Sequence, residues 1–383
     1  MLTVEVDLPN LVRNIEIIKG RLAEDTKVAF VVKADGYGHG LTEVARVGER
    51  ANLDYLAVSR LDSAKRLRDK GISTPILIFG PVCSEEEPAA KILRLGVTPT
   101  ITSTSGGLPE ELSREAKRRG VTAKVHVNVD TGMGRTGLFP KEVLPFLKKI
   151  SDLENLEAEG IYSHLSAADS EASEDEEYTR NQIESFRGVL GELKDKGLLP
   201  PLRHIGNSAG FIQYEDEVTG PPFNMVRLGS LLYGLPEVER PWTRSLSPVM
   251  SVFTRISEIR KLPGGSYVGY GRSSRIGEDK RVGVLPAGYA DGLSRKISGK
   301  GGVVIENRKA RVVGKISANH TIVDLSGIDD ASVGARVELI GKTNPAPALG
   351  EKIGASVLEL LAPFGSREVN RVYSEDLTDK KSS

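Results

Sequence analysis

The feature that most constrains the fold is a repeated alternation of short apolar runs with amphipathic helical patterns, from about residue 28 to residue 230. Residues 28–32 predict a buried strand because the run is short, apolar and β-branched, and residues 42–50 place Val44, Ala45 and Val47 on one helical face. Strands with helical crossovers form a parallel sheet, and eight of them over this length predict a (β/α)8 barrel. A doubly wound open sheet is less favoured because no G-x-G-x-x-G follows the first strand. The predicted strands are residues 28–32, 55–58, 75–79, 98–101, 123–129, 157–162, 202–205 and 225–228.

The sequence pattern changes after about residue 245, where Gly, Pro, Asn and Asp separate short β-like segments at hairpin spacing. This pattern predicts an all-β second domain, to which residues 2–7 could add a strand. We therefore expect the barrel to span residues 8–243 and the β-rich domain to span 244–383 together with 1–7. The predicted segments are residues 249–260, 266–270, 281–286, 302–305, 310–316, 321–325, 336–340 and 352 onward.

Composition excludes several classes of function. The 52 basic and 52 acidic residues cancel, whereas nucleic acid or an acidic membrane surface requires a basic excess in its partner. No run approaches the ~20 apolar residues of a membrane span, and the acidic N-terminal segment lacks signal-peptide features, so we expect a cytoplasmic location. The single cysteine, Cys83, excludes an intrachain disulfide and a cysteine zinc site. We predict no metal site, because His39, His126, His204 and His320 lack ligand spacing.

Lys33 ends the first apolar run and is followed by a glycine-rich segment containing Gly36, Gly38 and Gly40. The carboxyl ends of barrel strands carry the chemistry in this architecture. An amine on an apolar floor has a lowered pKa and stays nucleophilic, which suits a Schiff base with a carbonyl substrate or with pyridoxal phosphate. On the residues alone, a strand-end lysine that reaches solvent is the commoner case.

The segment Val32-Lys33-Ala34-Asp35-Gly36-Tyr37-Gly38-His39-Gly40 closely resembles the cofactor-lysine motif of the alanine racemase family. Six further motifs occur in the family's order, so the resemblance covers nearly the whole chain. It implies a barrel with a β-domain and a pyridoxal phosphate-dependent racemase. The enzyme would interconvert free L- and D-amino acids by a two-base mechanism, for example to supply a peptidoglycan precursor. The six motifs lie at residues 130–137, 162–165, 207–209, 225–229, 268–272 and 288–292.

The resemblance implies two bases, because racemisation removes a proton from one face of the substrate and delivers another to the opposite face. Lys33 would hold the cofactor and serve as one base. Tyr270 would be the other, supplied by the β-domain of a second subunit, which implies a homodimer with shared active sites. A phenol has an ordinary pKa near ~10, so it needs cationic neighbours to act at neutral pH. Without the motif, Tyr270 reads as an ordinary half-buried strand tyrosine.

The same resemblance assigns contacts to the remaining matched residues. Arg227 would face the pyridine nitrogen, which then stays unprotonated because a guanidinium keeps its proton. His164 would buttress Arg227. Taken alone, Arg227 could instead be a salt-bridge arginine and His164 a satisfied core histidine. Further implied contacts are Tyr37, Ser208, Gly229 and Ser230 for the cofactor phosphate, Arg135 for the cofactor's phenolic oxygen and the substrate carboxylate, and Tyr289, Ala318 and Asn319 for the substrate.

Three departures from the family pattern bear on the substrate and cofactor contacts. Asn128 stands where a lysine is typical, and Ala318 and Asn319 stand where a methionine and an aspartate are typical. We align Leu360 with a tyrosine that contacts the cofactor phosphate. A shorter side chain at Ala318 widens the pocket, so we predict that lysine, ornithine or serine is handled as well as alanine or better.

Two other classes of protein share the barrel and the cofactor lysine. A basic-amino-acid decarboxylase would use a cysteine from the partner subunit and a glutamate near the ring nitrogen. This chain offers Arg227 and has only Cys83, which lies early in the barrel. A non-enzymatic pyridoxal phosphate carrier is typically a lone barrel, and the β-domain carrying Tyr270 argues against it.

Overall fold

The barrel is built from eight parallel strands whose order around the sheet is β8-β7-β6-β5-β4-β3-β2-β9. In the computed structural model, residues 2–82, 86–366 and 369–374 are described, so Cys83 and the last nine residues of the predicted β-domain lie outside them. The strands match the eight predicted from the sequence in number and order, which confirms the barrel. They are β2 (Lys27–Val31), β3 (Tyr55–Val58), β4 (Ile76–Ile78), β5 (Thr98–Ile101), β6 (Ala123–Asn128), β7 (Leu156–Tyr162), β8 (Leu202–His204) and β9 (Met225–Leu228).

The barrel is nearly closed by backbone contacts between β8 and β9, the strands at the two ends of this order. The amide of Asn224 donates to the carbonyl of Arg203 at 3.0 Å, and the amide of Arg227 donates to the carbonyl of Gly206 at 2.9 Å. Strand residues alternate between two cores. Val28 and Phe30 of β2 face the helices, whereas Ala29 and Val31 pack inside the barrel with Tyr55, Ala57 and Leu77.

The helices that cover the barrel follow the strands as the periodicity predicts. One element departs from ordinary helical geometry: α2 contains three consecutive residues, 34–36, with left-handed backbone angles. No helix of the described residues is both long and apolar enough to cross a membrane. The helices are α1 (Leu8–Lys19), α2 (Lys33–Tyr37), α3 (Leu41–Arg50), α4 (Leu61–Asp69), α5 (Pro88–Leu95), α6 (Leu108–Arg119), α7 (Pro140–Ser151), α8 (Ser173–Asp195), α9 (Ser208–Gln213) and α10 (Glu215–Thr219).

The second domain contains a six-stranded sheet in the order β16-β15-β18-β10-β1-β19 and a three-stranded sheet in the order β11-β14-β17. The N-terminal strand β1 lies between β10, to which it is antiparallel, and β19, to which it is parallel. The strands are β1 (Thr3–Val6), β10 (Met250–Arg255), β11 (Glu258–Leu262), β12 (Tyr267–Val268), β13 (Ser274–Arg275), β14 (Lys280–Leu285), β15 (Gly302–Ile305), β16 (Arg308–Arg311), β17 (Thr321–Asp324), β18 (Arg336–Ile340) and β19 (Asn370–Tyr373).

The prediction of β structure from residue 352 onward is wrong over most of that segment. Helices α11 (Ala346–Ile353) and α12 (Val357–Leu361) precede a short 3-10 helix at Ala362–Ser366, and among the described residues of this segment only β19 is a strand. Leu349 and Ile353 are four residues apart and both buried, which is helical spacing. Ser356 caps α12 by accepting a hydrogen bond from the amide of Glu359 at 3.2 Å.

Candidate active site

A cavity of about 440 Å³ opens at the mouth of the barrel, which is the size range of small-molecule sites. A second cavity, of about 630 Å³, is lined by residues such as Asp7, Ser247 and Tyr373 and by none of the residues predicted from sequence. The cavity at the mouth is therefore the candidate active site. Its lining includes eight of the predicted site residues, namely Lys33, Tyr37, Arg135, His164, Ser208, Arg227, Gly229 and Ser230.

Lys33 follows β2 by two residues, and its half-buried side chain lines the cavity at the carboxyl ends of the strands. Desolvation lowers the pKa of its amine, and the positive charges of Arg135 and Arg227 lower it further. A lowered pKa increases the fraction of amine that is neutral near pH 7. The site thus favours the neutral amine, which is the form that can attack a carbonyl or accept a proton.

The backbone that presents Lys33 is strained. Ala34, Asp35 and Tyr37 have φ angles of 52°, 56° and 49°, which L-residues adopt at a cost of roughly 1–2 kcal/mol each. Gly36 shares this conformation, and an added Cβ there would lie 2.9 Å from a methyl group of Val44. Strain of this kind persists only where surrounding contacts hold it.

Arg227 lies within β9 and is buried among hydrogen-bond acceptors at the floor of the cavity. Its guanidinium contacts His204 Nδ1 at 2.8 Å, His164 Nδ1 at 3.1 Å and the carbonyl of Ser163 at 2.8 Å. It also lies over the ring of Tyr162, 4.9 Å from its centre. Burial lowers the pKa of Arg227 to about 10, so the group still carries its charge at neutral pH. A guanidinium only donates, so both imidazole Nδ1 atoms must accept.

Two histidines continue this network into the barrel interior. Desolvation and the charge of Arg227 lower the pKa of His204, so it is neutral and carries its proton on Nε2. That proton is donated to His126 Nδ1 at 3.0 Å. His126 therefore carries its own proton on Nε2, which lies 3.7 Å from a carboxylate oxygen of Glu159. Arg227 thus sets the tautomers of His204 and His126, and Glu159 faces the far end of this chain beyond hydrogen-bond distance.

Glu159 is the charged end of this network. Burial alone would raise the pKa of Glu159, but its contacts with His126 and Lys124 lower the pKa to about 2. Sequence analysis considered His126 and His204 only as metal ligands and missed Glu159. The available signal was polar residues at inward positions of β6, β7 and β8. No group of three or more His, Cys, Asp or Glu side chains among the described residues is arranged to hold a metal ion.

Hydroxyl and amide groups lie at the opposite end of the cavity. Ser208 begins α9, and its Oγ accepts the amide of Gly229 at 3.1 Å. An added Cβ at Gly229 would lie 3.0 Å from the ring of Tyr37, so a larger residue would press on that ring. Desolvation raises the pKa of Tyr37, and Glu237 raises it further, so the phenol keeps its proton and can donate.

Glu237 also lines this end of the cavity and was missed by sequence analysis. The residue as a whole is exposed, but its carboxyl group contacts Ser230 and the amide of Ala209. Desolvation of that carboxyl raises its pKa above the ordinary value. No motif marked this glutamate, because it lies beyond the last strand in a segment without a recognisable pattern.

Asn128 lies in the cavity wall beside Arg135 without a hydrogen bond between their side chains in the described structure. Its amide donates to the carbonyl of Thr136 at 2.8 Å and approaches the Thr136 hydroxyl at 3.3 Å. Asn128 therefore holds the backbone next to Arg135. The Arg135 side chain is exposed.

The structure corrects the alignment of Leu360. That residue is 2% exposed and packs in the hydrophobic core, whereas Leu358 lines the cavity. Residues two apart on a helix face different directions, so an alignment error of two positions moves a side chain from the cavity into the core. Leu358 is the residue of α12 that borders the candidate site.

The four remaining predicted site residues are absent from the cavity lining and lie in the second domain. Tyr270 is 66% exposed and Tyr289 is 44% exposed. The amides of Tyr289 and its neighbour Ala290 donate to the carbonyls of Ser317 and Ala318 at 3.1 Å and 2.8 Å. Tyr289 and Ala318 therefore lie side by side.

The amide of Asn319 lies 3.3 Å from both carboxylate oxygens of Asp291, which follows Tyr289 in the same 3-10 helix. Tyr270 sits on a separate turn, joined to this segment where the amide of Lys315 donates to Ser273 Oγ at 2.9 Å. These contacts place Tyr270, Tyr289, Ala318 and Asn319 in one region, which we call the second-domain face.

The cavity residues fit pyridoxal phosphate. An amine with a lowered pKa can bond its aldehyde, a buried guanidinium can face its ring nitrogen, and a group of hydroxyl and amide donors can bind its phosphate. Each of these three functional groups of the cofactor therefore has a matching residue in the cavity.

Comparisons with known proteins agree with this geometry. Residues 6–237 match the family model described as alanine racemase, N-terminal domain, and residues 249–373 match alanine racemase, C-terminal domain. An alanine racemase of Methanococcus maripaludis is 34% identical over 376 residues, covering 96% of this chain and 97% of that protein. One of Thermodesulfovibrio yellowstonii is 35% identical over 382 residues, covering 98% of each.

Solved structures give the same result. The alanine racemase of Clostridium difficile 630 has a TM-score of 0.87 at 32% identity, covering 97% of this chain and 95% of that chain. The alanine racemase of Bartonella henselae, with covalently bound pyridoxal phosphate, has a TM-score of 0.83 at 26% identity, covering 97% and 99%.

Proposed function

The chain belongs to the alanine racemase family and is a pyridoxal phosphate-dependent amino-acid racemase, and from this premise we propose that it interconverts the L and D forms of alanine and of larger amino acids. The observation that carries the proposal is the Lys33 amine at the barrel mouth, whose pKa is lowered by burial and by two arginines. A lysine that merely reached solvent would keep its ordinary pKa.

Pyridoxal phosphate supplies an electron sink that weakens the Cα–H bond of the bound amino acid. Lys33 holds the cofactor and then moves the proton on one face of the substrate. Arg227 stays charged, leaves the ring nitrogen without a proton and thereby limits side reactions that require a long-lived carbanion. The neutral acceptors His204 and His164 hold Arg227 in this orientation.

Substrate and cofactor are positioned by groups at the rim of the cavity. The Arg135 guanidinium presents a planar donor pair that fits a carboxylate. Tyr37, Ser208, Gly229 and Ser230 offer hydroxyl and amide donors to the phosphate. These contacts fix the plane of the cofactor, and a fixed plane determines which faces of Cα the two bases meet.

We assign the second base to Tyr270 of the partner subunit in a homodimer. Tyr270 and Tyr289 are exposed and outside the cavity lining of their own chain, which leaves the second face of the substrate without a base. A twofold dimer would bring the second-domain face of one subunit over the cavity of the other. The phenol would then face the cavity that Arg135 lines.

The proposed substrate range follows from Ala318 and Asn319. A short apolar side chain and a neutral amide leave room and reduce negative charge where the family typically has methionine and aspartate. Measuring the turnover of each L-amino acid with added pyridoxal phosphate tests both levels of the proposal. We expect loss of optical rotation with alanine and with lysine at comparable kcat/KM.

A strong preference for alanine would remove the broad range, and release of carbon dioxide would favour the decarboxylase. The decarboxylase is disfavoured because Arg227, not a glutamate, lies at the cavity floor.

A further inference from the structure

The left-handed turn after Lys33 contacts strand β19 of the second domain. Within the turn, the amide of Gly38 donates to the carbonyl of Ala34 at 3.1 Å, and the amide of Gly40 donates to the carbonyl of Asp35 at 2.9 Å. These bonds close the turn but do not remove the strain at Ala34 and Asp35, since a left-handed Cβ crowds the following carbonyl. Additional contacts must hold it.

The carboxylate of Asp35 holds the turn in place through contacts of both oxygens. One carboxylate oxygen accepts the amide of Leu41 at 3.2 Å and lies 3.2 Å from the guanidinium of Arg66. The other oxygen pairs with Arg371 of β19 at 3.1 Å. The side chain of Asp35 is only 12% exposed and that of Arg371 19%, whereas Arg66 is 59% exposed, so Arg371 is the less screened partner.

Arg371 also contacts the backbone on both sides of the junction between the domains. Its Nε donates to the carbonyl of Gly38 at 3.2 Å, and one Nη donates to the carbonyl of Phe364 at 2.8 Å. The fit is tight, because an added Cβ on Gly38 would collide with the carbonyl of Leu361, and one on Gly365 would lie 2.9 Å from the carbonyl of Ala34. One planar guanidinium therefore joins the turn to the second domain.

We propose that Arg371 is a positioning residue that holds the left-handed turn at residues 34–38 and thereby fixes the direction in which Lys33 presents its amine. It acts through Asp35 and Gly38 and contacts neither substrate nor cofactor. The last strand of the second domain thus sets the geometry of the cofactor lysine in its own chain. The functional part of this inference rests on the proposed role of Lys33.

Hydrogen exchange on the full-length chain tests the inference without relying on activity. In Arg371→Met, the amides of residues 36–41 should exchange at least about tenfold faster than in the wild type, because local opening of the turn becomes easier. The matched control is Arg336→Met on strand β18 of the same sheet. Arg336 pairs with Glu5 at 2.8 Å, so its loss should leave the turn unchanged. Unchanged exchange in Arg371→Met would overturn the proposal.

A rescue experiment separates positioning from simple loss of an ion pair. Glycine adopts left-handed angles without strain, so Ala34→Gly in the Arg371→Met background should restore most of the exchange protection and most of kcat. A purely structural role for Arg371 predicts no rescue, and that result would contradict the inference. If Arg371→Met does not fold, Arg371→Lys serves instead, because an ammonium cannot contact Asp35, Gly38 and Phe364 together.

Activity measurements complete the test. We expect Arg371→Met to lower kcat about tenfold with little change in the KM for alanine, since the amine is displaced while the carboxylate contact remains. A change in KM alone would contradict a role in positioning Lys33. A wild-type chain without racemase activity would overturn the proposed function, whereas the exchange data would still decide whether Arg371 holds the turn.

Discussion

The barrel mouth and the second-domain face differ in how their polar groups are held. At the mouth, Arg227 is 4% exposed and both of its terminal nitrogens donate to acceptors of the same chain. On the face, the Tyr270 side chain is 66% exposed. At the mouth, the side chains that would bind a cofactor are enclosed by their own chain. On the second-domain face, the predicted base is not enclosed by its own chain. This difference is the one that the proposed site, shared between two chains, requires.

Enclosure also determines the electrostatics of the two regions. At the mouth and in the barrel interior beneath it, desolvation lowers the pKa values of Lys33, His164 and His204. The phenol of Tyr270 lies outside this enclosure and is exposed to solvent. The barrel therefore tunes its groups within one chain, whereas the face has no such enclosure in its own chain.

The largest expected effect is loss of the face's base. Tyr270→Phe should lower kcat by about 10³-fold, in the range that general acid–base groups contribute. Tyr267→Phe is the matched control, because Tyr267 is a 53% exposed tyrosine of the same hairpin. Steady-state racemisation of alanine measures both variants. Equal activity of the two would show that the phenol of Tyr270 takes no part in proton transfer.

Acid should destabilise the barrel through His39. Burial lowers the pKa of His39 to about 4, so the folded state keeps this ring neutral while the unfolded chain binds a proton below its ordinary pKa of 6.5. This contribution to the free energy of unfolding is fully present above pH 6.5 and is lost as pH falls towards 4. The loss reaches about 2 kcal/mol at pH 5.

Unfolding free energies of the wild type and His39→Asn at pH 7.5 and pH 5 check this expectation. The difference between the two pH values should be smaller in the variant by about 2 kcal/mol. An equal difference in both proteins would show that His39 is not the responsible group. His320, the exposed histidine of the second domain, provides the control His320→Asn.

A larger side chain at position 318 of the second-domain face should narrow the range of amino acids that the enzyme accepts. Ala318→Met adds side-chain volume beside Tyr289, so kcat/KM for L-lysine should fall about tenfold relative to that for L-alanine. Alanine serves as the internal control, because its small side chain does not need the space. If both substrates lose activity equally, Ala318 does not border the substrate side chain.

The smallest expected effect is removal of the charge at the far end of the Arg227 network. Glu159→Gln should lower kcat about fivefold, the scale of one weakened hydrogen bond, because the negative charge facing the Nε2–H of His126 is lost and His204 becomes a weaker acceptor for Arg227. Nitrogen-15 shifts of the two imidazoles report this change in polarisation. Glu157→Gln, at an exposed position of the same strand, should change neither readout.

Sequence predicts the mouth better than the interior and the face. The position of Lys33 after a buried strand and the motif around Arg227 identify the cavity, since strand ends in a barrel converge. Glu159 was not predicted, because the sequence around a polar residue in an apolar strand does not show which side chains that residue contacts. Helix α12 was mistaken for a strand because a short apolar run has no resolvable period. Exposure of Tyr270 depends on packing that no local pattern encodes.

Mixing two inactive chains tests the shared site most directly. One chain carries Lys33→Ala and the other Tyr270→Phe, and they are mixed in equal amounts under conditions that exchange subunits. If the base comes from the partner, each heterodimer regains one intact site, and random pairing restores about a quarter of wild-type activity. As a control, a chain carrying both substitutions is mixed with an equal amount of wild type. A shared site leaves about a quarter of the activity of an all-wild-type sample, whereas sites complete within one chain leave about half. No recovery in the first mixture and half activity in the second would contradict a centre built from two chains.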